Sequence, residues 1–295
     1  MKLDTILCPV DFSEPSRRAL ACATSLATWY VAQVTALHVT EPAHALAGAL
    51  LDGGFLPDGP SVDFAELRRR VRHELPTPPD GASLTADVIV GRPAESIVAY
   101  ADSARPDLLV IGTRGTSGFR HLVLGSVAEA VLREARCPVL TIPPGAGPNP
   151  AFPFRSVLCA TDFSAASFGA LRTAASLTRD AIGDVTVVHV LDETEENELF
   201  VARPYDVHRH AAQREMQAEE SLRQMAERAF FGAQTPVLRV LRGKPDAEIL
   251  RMAAAMHADL IVLGVTGQND FHSRVFGSTT NSVIRAASCP VLTAR

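Results

Sequence analysis

The chain repeats itself at a nearly fixed interval, and that repeat restricts it to folds that can be built twice. Gly112-Thr113-Arg114-Gly115 is followed by nine residues and Gly125-Ser126, and Gly264-Val265-Thr266-Gly267 by nine residues and Gly277-Ser278. The offset is constant: 264 − 112 and 277 − 125 both give 152. The flanks keep register. Asp107 to Ile111 matches Asp259 to Leu263, and Cys137-Pro138-Val139-Leu140 matches Cys289-Pro290-Val291-Leu292. Upstream, Cys8 to Ser13 is echoed by Cys159 to Ser164, and Leu37-His38-Val39 by Val188-His189-Val190, at an offset of 151. A repeat this long is a pair of domains rather than a solenoid. The Pro/Gly-rich stretch 143–150 reads as the linker, giving domains over 1–147 and 151–295.

Each half alternates short apolar runs with helical patterns. Strands are expected near 4–10, 34–40, 84–90, 107–111 and 138–142, with helices near 14–31, 62–75, 94–105 and 125–136. The second half repeats this with strands near 155–161, 184–191, 236–242, 259–263 and 290–294 and a long amphipathic helix near 206–231. Continuous runs such as Leu108-Leu109-Val110-Ile111 suit strands covered on both faces. The fold class is therefore α/β, two tandem doubly wound domains with parallel sheets.

At 47% hydrophobic and 21% charged, each half can bury its own core. The net charge of −5 gives no reason to expect a nucleic-acid partner. No apolar run approaches the ~20 residues of a membrane span, and the N-terminus lacks a secretory apolar stretch, so the expected location is cytoplasmic. The five cysteines include no Cys-x-x-Cys pair and read as small buried hydrophobes, four of them on strands.

In open α/β sheets, ligands bind beyond the carboxyl ends of strands where the winding reverses. The loops Val10 to Ser13 and Gly112 to Gly115 both follow strands and would face one crevice. Glycines let backbone N–H groups approach phosphate oxygens, and Gly125-Ser126 opens a helix whose N-terminus suits phosphate. Asp11 suits a ribose hydroxyl or a divalent cation shared with phosphates. His38 and His189 read as hydrogen-bonded core residues, leaving any base contact to the backbone of Val39 or Val190.

These motifs resemble the universal stress protein family, in its ATP-binding branch, over essentially the full chain. The resemblance implies strand order 3-2-1-4-5 in each five-stranded sheet and ATP in each crevice, with Mg or Mn accompanying it. It implies a first site of Pro9, Asp11, Val39, Gly112, Gly115, Gly125, Ser126 and Val127, to which Arg114 adds a cation. The second site is Ala160, Asp162, Val190, Gly264, Gly267, Gly277, Ser278 and Thr279. Asp11 is the candidate metal contact. The last strands of the two domains are expected to pair within the chain, and the whole to form a homodimer.

Arg114 and Arg120 favour tighter ATP binding at the first site, because the second has Thr266, Gln268 and Asp270 in that region, with Arg274 as a partial offset. No P-loop with a Lys-Ser/Thr end and no dinucleotide fingerprint is present, so the expected role is a nucleotide-dependent stress-response switch or sensor with slow or no hydrolysis. Two alternatives stand beside it. One is an adenine-nucleotide hydrolase, although its Ser-Gly-Gly-type loop is replaced by Val10-Asp11-Phe12-Ser13. The other is a degenerate member binding a lipid or small metabolite. His208-Arg209-His210 reads as a solvated helix start, Ala45 to Phe55 within the 41–60 loop as a lid or partner segment, and Asp192 to Glu198 within the 192–205 loop as a mobile rim loop.

Overall fold

The structure is a computed structural model, and it describes residues 3–41, 64–74, 83–113, 124–144, 152–181, 183–192, 207–232, 234–265 and 277–294. The chain divides into two compact units, Lys2–Phe152 and Pro153–Arg295.

In the first unit the elements run β1 (Thr5–Pro9), α1 (Glu14–Tyr30), β2 (Gln33–Thr40), α2 (Phe64–Glu74), β3 (Ser83–Val90), α3 (Pro93–Ala104), β4 (Leu108–Gly112), α4 (Ser126–Glu134) and β5 (Val139–Ile142). The second runs β6 (Ser156–Ala160), α5 (Ala165–Ala181), β7 (Asp184–Leu191), α6 (Val207–Ala229), β8 (Val237–Arg242), α7 (Pro245–Ala255), β9 (Leu260–Gly264), α8 (Ser278–Ala286) and β10 (Val291–Ala294). Every strand pair within a unit is parallel. The orders are β3-β2-β1-β4-β5 and β8-β7-β6-β9-β10, the expected 3-2-1-4-5 twice over.

That order reverses the winding between β1 and β4, and again between β6 and β9. With right-handed crossovers, α1 and α2 cover one face and α3 and α4 the other. The central strands are buried along their length, as in Leu108–Ile111 and Leu260–Leu263. The edge strands β3 and β8 are covered less completely, because neither has a neighbour on its outer side.

Helix α1 shows how a sequence fixes its place. Ser13 caps it, accepting from the Ser16 N–H, and Pro15 stands in the first turn, where no N–H is needed. Its buried stripe includes Ala19, Cys22, Ala23 and Ala27, small residues that let the helix lie close on the sheet, with Leu20 and Leu26 as the large contributors. Full burial of each leucine contributes about 1.5–3 kcal/mol.

The repeated Asp that precedes β4 and β9 is a clasp at the amino ends of the strands. Asp107 Oδ2 accepts from the Asp4 and Thr5 N–H groups, both at 2.9 Å, and from the Thr5 hydroxyl at 3.1 Å. Asp259 accepts from the Arg155 N–H at 2.7 Å and the Ser156 N–H at 3.1 Å. Burial raises the Asp259 carboxyl above the usual range, partly offset by these donors.

Cys8, Cys22 and Cys159 are buried and free, as expected of small hydrophobes. Cys137 and Cys289 differ from the expectation: they are half-buried and stand two residues before β5 and β10, outside the strands. Among the described residues, no helix is long and apolar enough to cross a membrane.

Candidate functional site

Both units build the same turn at the carboxyl end of their first strand. In the first, Val10 extends the ladder by donating to the Leu37 carbonyl at 2.8 Å, and the chain then passes through Phe12 with φ of 63°. A left-handed phenylalanine is uncommon and disfavoured. Its neighbours hold it: Asp11 Oδ1 accepts from the Ser13 N–H at 3.0 Å and the Ser13 hydroxyl at 2.5 Å, while Ser16 Oγ donates to the Ser13 carbonyl at 3.0 Å. In the second unit Phe163 takes φ of 66°, Asp162 Oδ1 accepts from the Ser164 N–H at 3.0 Å, and Ser167 Oγ donates to the Ser164 carbonyl at 3.0 Å.

The histidines brace these turns. His38 Nδ1 lies 2.8 Å from the Val10 carbonyl and donates to it, and His189 Nδ1 does the same to the Thr161 carbonyl at 2.8 Å. Their rings sit 4.6 Å and 4.2 Å from those of Phe12 and Phe163. Both are half-buried at the rim rather than enclosed in the core, but hydrogen-bonded as expected. In the first unit the Arg70 guanidinium of α2 adds a further layer, 4.8 Å from the Phe12 centroid. Burial, and next the Arg70 charge, lower the His38 pKa, while its bond to Val10 and the Asp11 charge oppose them.

Pro9 ends β1, Val39 lies in β2 opposite Ile89, and Gly112 ends β4. Gly125 is the N-cap of α4, so Ser126 and Val127 form its first turn. Asp11 and Ser126 are exposed. Since β1 lies between β2 and β4, the topology brings these residues to one end of the sheet. Arg114, Gly115 and Gly267 lie outside the described residues, as do Arg120, Thr266, Gln268, Asp270, Arg274 and most of 41–60 and 192–205; of those two loops only Glu41 and Asp192 are described. The helix starting at Val207 includes His208 to His210, whose side chains lie outside the description.

In the second unit the corresponding residues share one cavity. Ala160, Asp162, Val190, Gly264, Gly277, Ser278 and Thr279 all line a space of about 620 Å³. That is within the ~300–1,000 Å³ of small-molecule sites. Gly277 caps α8 without a side chain, and the first helical bond runs from the Asn281 N–H to the Gly277 carbonyl at 2.9 Å. The N–H groups before it therefore lack an intrahelical acceptor, the arrangement that binds anions. The Gly277 N–H itself donates to the Val265 carbonyl at 3.1 Å, and Gly125 to Thr113 at 2.8 Å, so each glycine loop is tied at its base.

Two results depart from the sequence reading. Gly112 and Gly264 have a packing reason of their own. A Cβ on Gly112 would meet the Pro15 carbonyl carbon and oxygen at 2.9 Å, and one on Gly264 the Ser167 nitrogen at 2.8 Å and the Ala166 carbon at 2.9 Å. The ends of β4 and β9 thus run against the first turns of α1 and α5, backbone on backbone. The second departure is a wall that the motifs did not reveal. Arg214, Gln217 and Ser221 line the cavity from α6. Their spacing of three and four puts them on one helix face, a signal present in the sequence but without an assigned neighbour.

Comparison with known proteins gives a consistent result. The profile described as "Universal stress protein family" matches residues 2–143 and 153–295. A universal stress protein of Thermus aquaticus is 34% identical over 146 residues, covering 47% of this chain and 97% of its own. One from Mycobacterium bovis is 27% identical over 214 residues, covering 72% of this chain and 69% of its own. The crystal structure of a universal stress protein from Archaeoglobus fulgidus superposes with a TM-score of 0.69 at 20% identity, covering 100% of this chain and 99% of that one. At that identity the likeness is one of fold.

Proposed function

The chain belongs to the universal stress protein family, and from that premise we propose that it binds ATP in each unit and acts as a nucleotide-dependent switch or sensor in a stress response. The observation that carries this reading is the second-unit cavity. It joins an acidic turn, the end of β7 and a helix N-terminus capped without a side chain within about 620 Å³. The base and ribose would lie toward Val190 and Asp162, and the phosphates toward Ser278 and Thr279, whose N–H groups have no acceptor within the helix. The first unit repeats the acidic turn at Asp11 and the glycine cap at Gly125.

The donor set fits a cation that arrives with the nucleotide. Among the described residues, no group of three acidic, Cys or His side chains is placed to hold a metal alone. Asp11 or Asp162 would contribute one oxygen to Mg or Mn, with phosphate oxygens and water supplying the rest. Such an ion would neutralise phosphate charge. Hydrolysis is proposed to be slow at most.

Mass spectrometry of the small molecules released by denaturing the purified protein tests the reading. The expected result is ATP or ADP at about one to two equivalents per chain. Absence of nucleotide, with none taken up on titration with ATP and magnesium, refutes it. AMP accumulating on incubation would favour the hydrolase alternative, and a co-purified lipid or metabolite the degenerate one.

A further inference from the structure

Resting on the nucleotide-binding reading, we propose that Arg214 is a phosphate-neutralising cation of the second site, so that this site draws positive charge from the α6 wall. Among the described lining residues, Arg214 is the one guanidinium or ammonium group, and it shares the cavity with the carboxylates of Asp162 and Asp192. A polyphosphate entering a space with two carboxylates is repelled unless a cation stands with them. The α8 N-terminus offers only a partial charge.

Comparison of the two units points the same way. The first carries Arg114 inside its glycine loop, and the second has Thr266 there, 266 − 114 giving the repeat interval of 152.

The wall Arg214 occupies is held in place. Ala218 and Leu222 are buried beside it, and the next residue, Glu215, accepts from the Arg242 guanidinium at the end of β8 at 2.7 Å. An arginine on a fixed helix, with planar donors matched to phosphate oxygens, is preorganised for an anion. The loop residues alone leave the second site poorer in positive charge than the first, and Arg214 offsets that difference. The α6 position therefore makes the second site selective for phosphate-bearing ligands.

The test is calorimetric titration of the full chain with ATP and magnesium, and separately with adenosine, for the wild type, Arg214→Met, Arg214→Lys and Arg214→Met/Thr266→Arg. Arg114→Met marks the isotherm of the other site. Arg214→Met is expected to weaken ATP at the second site about tenfold to a hundredfold, with adenosine changed less than twofold. Arg214→Lys, which keeps the charge and helix, should fall between, and Thr266→Arg should restore much of the ATP affinity. Equal losses for ATP and adenosine would overturn the proposal by showing that Arg214 only shapes the cavity. Unchanged titrations in both Arg214 variants would overturn it while leaving nucleotide binding intact. A wild type that takes up no ATP would remove the nucleotide reading and this inference together.

Discussion

Replacing Gly112 with alanine puts a methyl carbon 2.9 Å from the Pro15 carbonyl carbon and oxygen and 3.0 Å from Pro15 Cβ. Relaxed carbon contacts lie near ~3.5–4.0 Å, so the two backbones must separate by several tenths of an ångström. Neither side yields easily. Gly112 pairs with Ile142, and the next N–H donates to the Ile142 carbonyl at 3.1 Å, while the first turn of α1 is fixed by the Ser13 cap. Such overpacking costs about 1–3 kcal/mol. Stiffening the unfolded chain returns about 0.4–1 kcal/mol, leaving a net loss of roughly 1.3 kcal/mol at the midpoints and at most about 2.6 kcal/mol. At a urea slope of about 2 kcal/mol per molar, the midpoint of the first unit falls by roughly 0.6 M and at most about 1.3 M, and Gly264→Ala does the same to the second. Urea unfolding followed by circular dichroism, with ATP titration of the same samples, separates packing from ligand approach. Wild-type stability combined with lost nucleotide binding would refute the packing argument and return these glycines to the ligand.

Two further outcomes follow from the same geometry. The folded state keeps the His38 pKa below its ordinary 6.5, so its contribution to stability is present above that pH and is lost as pH falls through and below it; between pH 7.5 and 5.5 the wild type should lose more stability than His38→Gln, and equal losses would contradict this. Burial pushes the Cys22 thiol up to about 12 and the Cys8 and Cys159 thiols higher still, so native alkylation at pH 8, counted by mass spectrometry, should spare all three; rapid labelling of any of them would show that the core opens.

The strands were legible because burial on both sheet faces leaves an uninterrupted apolar record, as in Leu108 to Ile111 and Leu260 to Leu263. The strand order and the crevice then followed from the repeat and the family resemblance. Features that depend on distant partners were harder to read. Gly112 was assigned to phosphate approach because nothing near it names Pro15, which stands 97 residues earlier in the chain. The Arg214 face was visible as a helical spacing, but only the fold brings it to the cavity that the α8 N-terminus also lines. The left-handed turns at Phe12 and Phe163 had no local warning, since phenylalanine lacks the features that favour positive φ. They persist because an aspartate, a capping serine and a histidine ring in tilted contact surround each one.

The Asp107 clasp also sets a schedule for making the protein. Its carboxylate closes on the N–H of Asp4, 103 residues earlier, and Asp259 closes on Arg155 across 104. At translation rates of about 5–20 residues per second, β1 leaves the ribosome roughly 5–20 s before the strand that must flank it. During that interval β1 is a bare apolar strand with β2 on one side only, and no hairpin can shelter it because both of its pairings are parallel. The second unit repeats the wait with β6 and β9. The same topology that opens a crevice for a ligand therefore exposes the newborn chain twice, and each exposure ends when a single aspartate arrives.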